Sequence, residues 1–474
     1  MAHPFSRRDI LRGAAALSTG VMASGLGLDG LLHAFAAEPQ PDKAGASSPL
    51  LLFFYFSGGW DTILSLDPRS NTAYGADDGI WPAYDLVAKN DGEVAKVLQA
   101  TNGSGVQKAI GSNVNFGPAV GRLANHWQDV CIVRGMSMGT LSHEVGYRFF
   151  MTGKFPTGLR ARGSSLGTWF AAQTGDNSPV PNLVVGMETY NEGLPLYANG
   201  LQVNSAQQIL TVVSQLGTKL PASSEAALQA FLAQPDCGIV ELDGEGAATT
   251  YLAARQKAMN LVSGPIPKAF TFSATPDAEL AKLYKALHIE PAKIVTELGG
   301  PKGRAAIAVQ ALTQGASQAV GVRLVDGLDT HYADWQVNQA RRQREGWDAV
   351  ADVISYLKET LDKSGKPFWD RTVLLCASEF ARTPKINSRG GRDHHLGMAC
   401  LLAGKGIAGN RVIGATSDAQ YGAQPIHLLT GQLDSNGTVV RPTDVHATLL
   451  KAAGLAYTHL TNVSPKIVQA ALKA

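Results

Sequence analysis

Leu50-Leu51-Leu52-Phe53-Phe54-Tyr55-Phe56, halted by Ser57-Gly58-Gly59, is the stretch from which the fold can be read. The run is too short to cross a membrane and too continuous for a strand with one wet face. Its length and aromatic content fit a strand buried on both faces, as in a parallel sheet. Similar runs recur at Val130 to Val133, Leu183 to Val185, Val322 to Val325, Val373 to Ala377 and Met398 to Leu402.

Helical patterns lie between these runs. Pro118 suits the first turn of a helix in which Val120, Leu123, Ala124 and Trp127 share one face. Trp347, Val350, Ile354, Leu357 and Leu361 step by three and four along another. Short apolar strands alternating with helices predict an α/β fold, a three-layer α/β/α sandwich around a mostly parallel central sheet with the Leu50 to Phe56 strand at its centre. Residues 38–49 read as a linker and 50–474 as one domain, with 191–275, rich in Ala and Gln, forming helical insertions over the site rather than sheet. Thr443-Asp444 should cap a helix ending at Gly454, and Asp434-Ser435-Asn436-Gly437 should form a turn.

Composition narrows the function. The 474 residues are 45% hydrophobic and 17% charged, an ordinary globular balance, and the net charge of +2 offers no field for a phosphate backbone. Nucleic acid is therefore not an expected partner. Arg341, Arg342 and Arg344 lie among Gln and Glu on a solvated helix face. Cys131, Cys237, Cys376 and Cys400 form no C-x-x-C pair, so neither a zinc knuckle nor a redox pair is expected.

The first 37 residues read as an export signal. Ser6-Arg7-Arg8-Asp9-Ile10-Leu11-Arg12 resembles the twin-arginine motif, a weakly apolar Gly/Ala segment follows, and Ala34-Phe35-Ala36 is a small-x-small cleavage pattern. Cleavage removes three arginines (Arg7, Arg8, Arg12) and two aspartates (Asp9, Asp29), leaving the mature chain at +1. The expectation is a periplasmic or secreted protein, exported folded by the twin-arginine machinery, with no transmembrane segment in the mature chain.

Open α/β sheets bind ligands beyond the carboxyl ends of their strands. Those positions here carry Gly58-Gly59-Trp60-Asp61, Ser142-His143-Glu144, Asp329-Thr330-His331 and Ser378-Glu379-Phe380-Ala381-Arg382, while Asp393-His394-His395 stands just ahead of the Met398 run. Carboxylates and imidazoles recurring at strand ends are the donors a divalent metal takes. A lone Asp after a strand also caps helices, and Ser142 fits a helix N-cap equally well.

These residues give the chain its resemblance to the DUF1501 family, proteins with twin-arginine signals placed in the alkaline phosphatase and sulfatase superfamily. The most specific pieces are Ser378 to Pro384, Gly390-Gly391-Arg392-Asp393-His394 and Leu328-Asp329-Thr330-His331. The resemblance implies an alkaline phosphatase-like fold and a metal-dependent, sulfatase-like or phosphatase-like hydrolase acting on small-molecule or glycan esters. It implies Asp61, Asp329, His331 and His394 or His395 as metal ligands, Glu379 being a further candidate from its strand-end position, and Ser142 or its neighbour His143, with Arg382 on the anionic group, as catalytic residues. Superfamily phosphatases carry Asp-His where this chain has Glu379-Phe380, and a phenylalanine cannot coordinate a cation. One divalent ion, zinc first, is therefore expected rather than two. The rival expectation is a binding or assembly protein on the same fold whose site has lost turnover.

Overall fold

The computed structural model describes residues 48–175, 178–205, 208, 223–224 and 269–473. Residues 1–47, which include the expected export signal, Cys237 and most of 206–268 lie outside the described residues. Among the described residues eight strands form one sheet: β1 (Leu50–Phe56), β2 (Val130–Ser137), β3 (Asn182–Val185), β4 (Leu201–Val203), β5 (Ala319–Val325), β6 (Thr372–Ala377), β7 (Gly397–Gly404) and β8 (Arg411–Ile413). Their spatial order is β8-β2-β7-β6-β1-β5-β3-β4. β1 pairs in parallel with β5 on one side and β6 on the other, so the expected central strand is central. β7 alone runs antiparallel to both of its neighbours, β2 and β6.

Alternation along β1 shows how the layers form. All seven residues are at most 2% exposed, so both faces are covered. Phe53 and Tyr55 meet Phe150 and Tyr147 of helix α1 (His143–Thr152), with ring centroids 6.1 and 4.9 Å apart. Phe56 instead meets Trp347 at 4.5 Å, on helix α2 (Trp335–Glu359). Successive strand side chains point to opposite faces, which places α1 and α2 on opposite sides of the sheet. Among the described residues no helix is long and apolar enough to cross a membrane.

Several local expectations need correction. α2 stops at Glu359 and Thr360 is extended, so Leu361 leaves the apolar face and is 58% exposed. The segment after Pro118 forms a 3-10 helix, Gly121–His126, rather than an α-helix. Residues 191–275 are not wholly helical, because β4 lies within them as the sheet's edge strand. Strands β4 and β8 are three residues long and leave too little periodicity to detect. Helix α3 (Pro442–Ala453) is capped at Arg441, two residues ahead of Thr443, with the Asp444 carboxylate accepting the Arg441 N–H at 2.9 Å. Gly454 closes it in the left-handed region, and Gly437 N–H bonds Asp434 O at 2.8 Å in the expected turn.

The topology also positions the site. β1, β2, β5 and β6 run parallel, so the segments after them emerge at one edge of the sheet. Because β7 is reversed, the residues before it reach that same edge. His394 and His395 therefore join from the amino-terminal side of their strand.

Candidate metal centre

Close backbone approach builds the floor of the site. Gly58, just past β1, has φ +114°, and a Cβ there would lie 2.5 Å from the backbone nitrogen of Asp329. Glycine thus permits the strand end and the Leu328-Asp329 segment to touch. Gly58 N–H also donates to Oε1 of Glu379 at 2.8 Å. On α1, a Cβ at Gly146 would lie 2.4 Å from the Glu379 carbonyl oxygen, so the helix packs backbone against backbone. That contact holds His143, in the first turn, against the end of β6.

Three imidazoles are anchored alike. His143 Nδ1 lies 2.7 Å from Glu379 Oε1, His331 Nδ1 2.6 Å from Asp393 Oδ1, and His394 Nδ1 2.6 Å from the Leu141 carbonyl oxygen. Carboxylates and carbonyls only accept, so each Nδ1 donates and each neutral ring turns an Nε2 lone pair inward. Those inward atoms converge on Asp329 Oδ1, at 3.3 Å from His143, 3.1 Å from His331 and 3.5 Å from His394. The Nε2 atoms of His331 and His394 are 2.8 Å apart. Two facing lone pairs at that distance repel unless a proton or a cation lies between them.

The donor set fits a metal. Nitrogen and oxygen ligands about 2.0–2.1 Å from a tetrahedral zinc stand about 3.3 Å from one another, close to the spacings around Asp329. His143, Asp329 and His394 each offer a ligand atom within 4.8 Å of the others. His143 Nε2 is buried and hydrogen-bonded to nothing among the described residues. Carboxylates behind metal-ligating histidines fix ring orientation and raise ligand basicity, and Glu379 and Asp393 stand where such groups stand.

The charges are arranged to keep Asp329 ionised. Burial alone would raise its pKa, but the Arg382 hydrogen bond and charge, with His143 and His331, bring it down to about 2. Arg382 Nη2 donates to Asp329 Oδ1 at 2.7 Å. Burial opposes ionisation of Glu379 as well, yet hydrogen bonds from His143 and Tyr55 hold its pKa below the usual value. His143 is raised, with Glu379 and Asp329 outweighing the burial that would lower it. His394 is lowered, first by burial and then by the charge of Arg382.

The remaining candidates lie away from the converging atoms or behind them, and Ser142 takes the helix-cap position that was one of its two expected roles. Asp61 is fully buried, its carboxylate accepting from Ile63 N–H at 3.1 Å and the Trp335 indole at 2.8 Å, with Arg392 at 3.3 Å. It caps the turn after β1 and is not among the converging atoms. His395 points away because adjacent strand residues alternate, and it bonds the backbone of Gly397 and Gln420. Glu379 stands behind His143, both oxygens occupied, with Tyr55 O–H on Oε2 at 2.7 Å. Arg382 is fully buried and donates to Gly58 O, Gly59 O, Arg392 O and Asp329, so it braces the aspartate instead of reaching for an anion. Ser142 is the N-cap of α1, its Oγ 3.5 Å from Val145 N and 3.1 Å from Glu144 Oε2.

Other contributors were not assigned roles from sequence. Phe380 lies against the rings of His143 and His394, with centroids 4.7 and 4.1 Å away, and supplies an apolar wall. Asp393 anchors His331, and Tyr55 anchors Glu379. The available signals were a carboxylate directly preceding two histidines and one hydroxyl within an otherwise apolar strand.

No curated protein matches the chain. Among solved structures it is similar to a phosphonate monoester hydrolase from Silicibacter pomeroyi, at 10% identity over 90% of this chain and 78% of that one, with a TM-score of 0.34. An alkaline phosphatase from the Antarctic bacterium TAB5 matches at 8% identity over 86% and 99% of the two chains, TM-score 0.33. A sulfatase from Pseudoalteromonas sp. matches at 11% identity over 88% and 73%, TM-score 0.34. The family described as a protein of unknown function, DUF1501, matches residues 49–464, nearly all of the chain beyond its first segment, and the chain belongs to that family.

Proposed function

We propose that this chain is an exported metal-dependent hydrolase of phosphate or sulfate esters, holding one divalent ion in His143, Asp329, His331 and His394. The observation that carries this reading is the convergence of three anchored imidazoles on Asp329 Oδ1. Three nitrogens and one oxygen favour zinc among the common divalent metals. When bound, such an ion supplies Lewis-acid polarisation and neutralises charge on the ester oxygens.

The chain's own residues do the remaining work. Glu379 and Asp393 hold the rings in one tautomer, and Arg382 keeps Asp329 in place. Phe380 packs against the rings of His143 and His394 and offers no donor to a cation, which supports one ion rather than two. The outer side is open: the Asp329 side chain is half exposed, and His394 borders a cavity of about 600 Å³ with room for an ester. Ser142 is the candidate nucleophile, with Glu144 accepting its hydroxyl. Export by the twin-arginine route to the periplasm or medium rests on Ser6 to Arg12.

One observation favours the second reading, a binding or assembly protein. Ser142 Oγ is engaged as a helix cap and the donors of Arg382 are taken, so neither stands free for an ester in this arrangement. A panel of aryl phosphates and aryl sulfates assayed with the zinc-loaded full chain and with Asp329→Asn separates the two. Hydrolysis by the wild type, lost in the variant, supports the hydrolase. Stoichiometric zinc without turnover on any ester supports the binding protein.

A further inference from the structure

The cavity beside His394 does not end there. It is lined by Leu141, Gln420, Val439 and Arg441 among others, and Ser137, Val439 and Arg441 also line a second cavity of about 790 Å³. The two are neighbours with Ser137, Val439 and Arg441 between them, and the cavity of about 600 Å³ is lined by both His394 and Arg441. Either volume greatly exceeds a single tetrahedral anion and matches a sugar-sized group. We infer that Arg441 recognises a second sulfate or phosphate on the substrate, so that the preferred substrates are organic esters carrying at least two such anionic groups. This rests on the hydrolase reading of the His394 site.

Arg441 has a fixed root and a free head. Its N–H donates to Asp444 Oδ2 at 2.9 Å, Pro442 follows it, and the preceding Val440 is tied to the end of β2 by Ser137 N–H at 2.8 Å. The residue is exposed, and its guanidinium has no hydrogen bond or ion pair among the described residues. Lys466 repeats the pattern farther along: its N–H donates to Asp444 Oδ1 at 2.7 Å while its ammonium faces solvent.

Asp444 is the carboxylate lining the larger cavity, and it is 4% exposed with both oxygens already accepting those backbone N–H groups. It anchors the two cationic residues at their backbones, and although the charges of both side chains act on it, neither makes an ion pair with it. A guanidinium fork suits a sulfate or phosphate oxygen pair. Leu141, 48% exposed, lines the same cavity as His394 and Arg441 and gives it apolar surface for the carbon skeleton between the anionic groups.

Calorimetric titration of the zinc-loaded full chain with sucrose octasulfate, inositol hexakisphosphate and glucose 6-sulfate tests this. The two polyanions should bind about tenfold or more tighter than the monosulfate, as one charged hydrogen-bonded pair implies. Arg441→Gln should erase most of that preference while glucose 6-sulfate affinity stays within about twofold; Lys282→Gln, removing an exposed charge that lines neither cavity, should change neither. The relative loss for the two polyanions tells a sulfate site from a phosphate site. Equal affinity for mono- and polyanions, or an Arg441→Gln protein that binds like wild type, overturns the inference. If polyanions bind through Arg441 but no aryl ester is hydrolysed, the hydrolase reading fails and the subsite stands. If esters are hydrolysed and Arg441→Gln is silent, the subsite fails and the hydrolase stands.

Discussion

Nδ1 of His143 lies 2.7 Å from Oε1 of Glu379, so an imidazole at the start of α1 is steered by a carboxylate 236 positions later in the chain. Tyr55 and Gly58, from and just beyond the central strand, hold that carboxylate from behind. The chain thus reaches from the core of the sheet to the candidate metal ligands through one continuous set of hydrogen bonds. A buried carboxylate is stable only when so bonded, and here every bond also orients His143.

Glu379→Gln tests this relationship. The amide keeps the shape but presents an N–H₂ to donors at one of the two oxygen positions. Zinc affinity, measured by chelator competition, should fall about 10- to 100-fold, and urea unfolding should show a loss of about 1–3 kcal/mol. Unchanged affinity would mean that the orientation of His143 does not depend on Glu379.

Gly146→Ala should be destabilising although it sits in a helix, where alanine normally gains about 1 kcal/mol over glycine. The added Cβ would lie 2.4 Å from the Glu379 carbonyl oxygen, so α1 must move away from β6. A lower Tm together with weaker zinc binding is the expected pair of results. A more stable protein would show that α1 does not pack as described.

Much of this arrangement was legible in the sequence because it follows from strand ends. The unbroken run Leu50 to Phe56 located the central strand, and acid and His residues after such runs pointed to one edge of the sheet. What stayed hidden depends on side-chain direction. Nothing in Asp393-His394-His395 says that one imidazole faces the site and its neighbour the backbone of Gln420, since that follows from pairing with Ala381-Arg382. Asp61 and Glu379 occupy strand-end positions of the same kind as Asp329, yet burial commits both to interior hydrogen bonds. The short strand Leu201–Val203 escaped because three residues carry too little pattern.

A second histidine site should make stability depend on pH. His446 on α3 is fully buried, its Nε2–H donating to Phe150 O at 2.7 Å, and burial pushes its pKa down to about 4. The unfolded chain binds this proton near the usual value of about 6.5, before the folded one does. Stability is therefore full above that value and falls as pH drops toward about 4, by roughly 3 kcal/mol. Urea unfolding of wild type and His446→Gln between these limits should show a shallower slope for the variant. Parallel slopes would exclude His446 as the source.

Replacing both Arg7 and Arg8 by Lys should retain the protein inside the cell, as judged by fractionation of cells producing each form. Normal export of the double variant would remove the twin-arginine assignment.

The metal content of the purified full chain, measured by elemental analysis after zinc loading and dialysis, tests the central claim most directly. One zinc per chain is expected in the wild type, with His331→Ala and His394→Ala folded but near zero. A wild type that holds no metal, or alanine variants that hold as much as the wild type, would contradict the proposed centre.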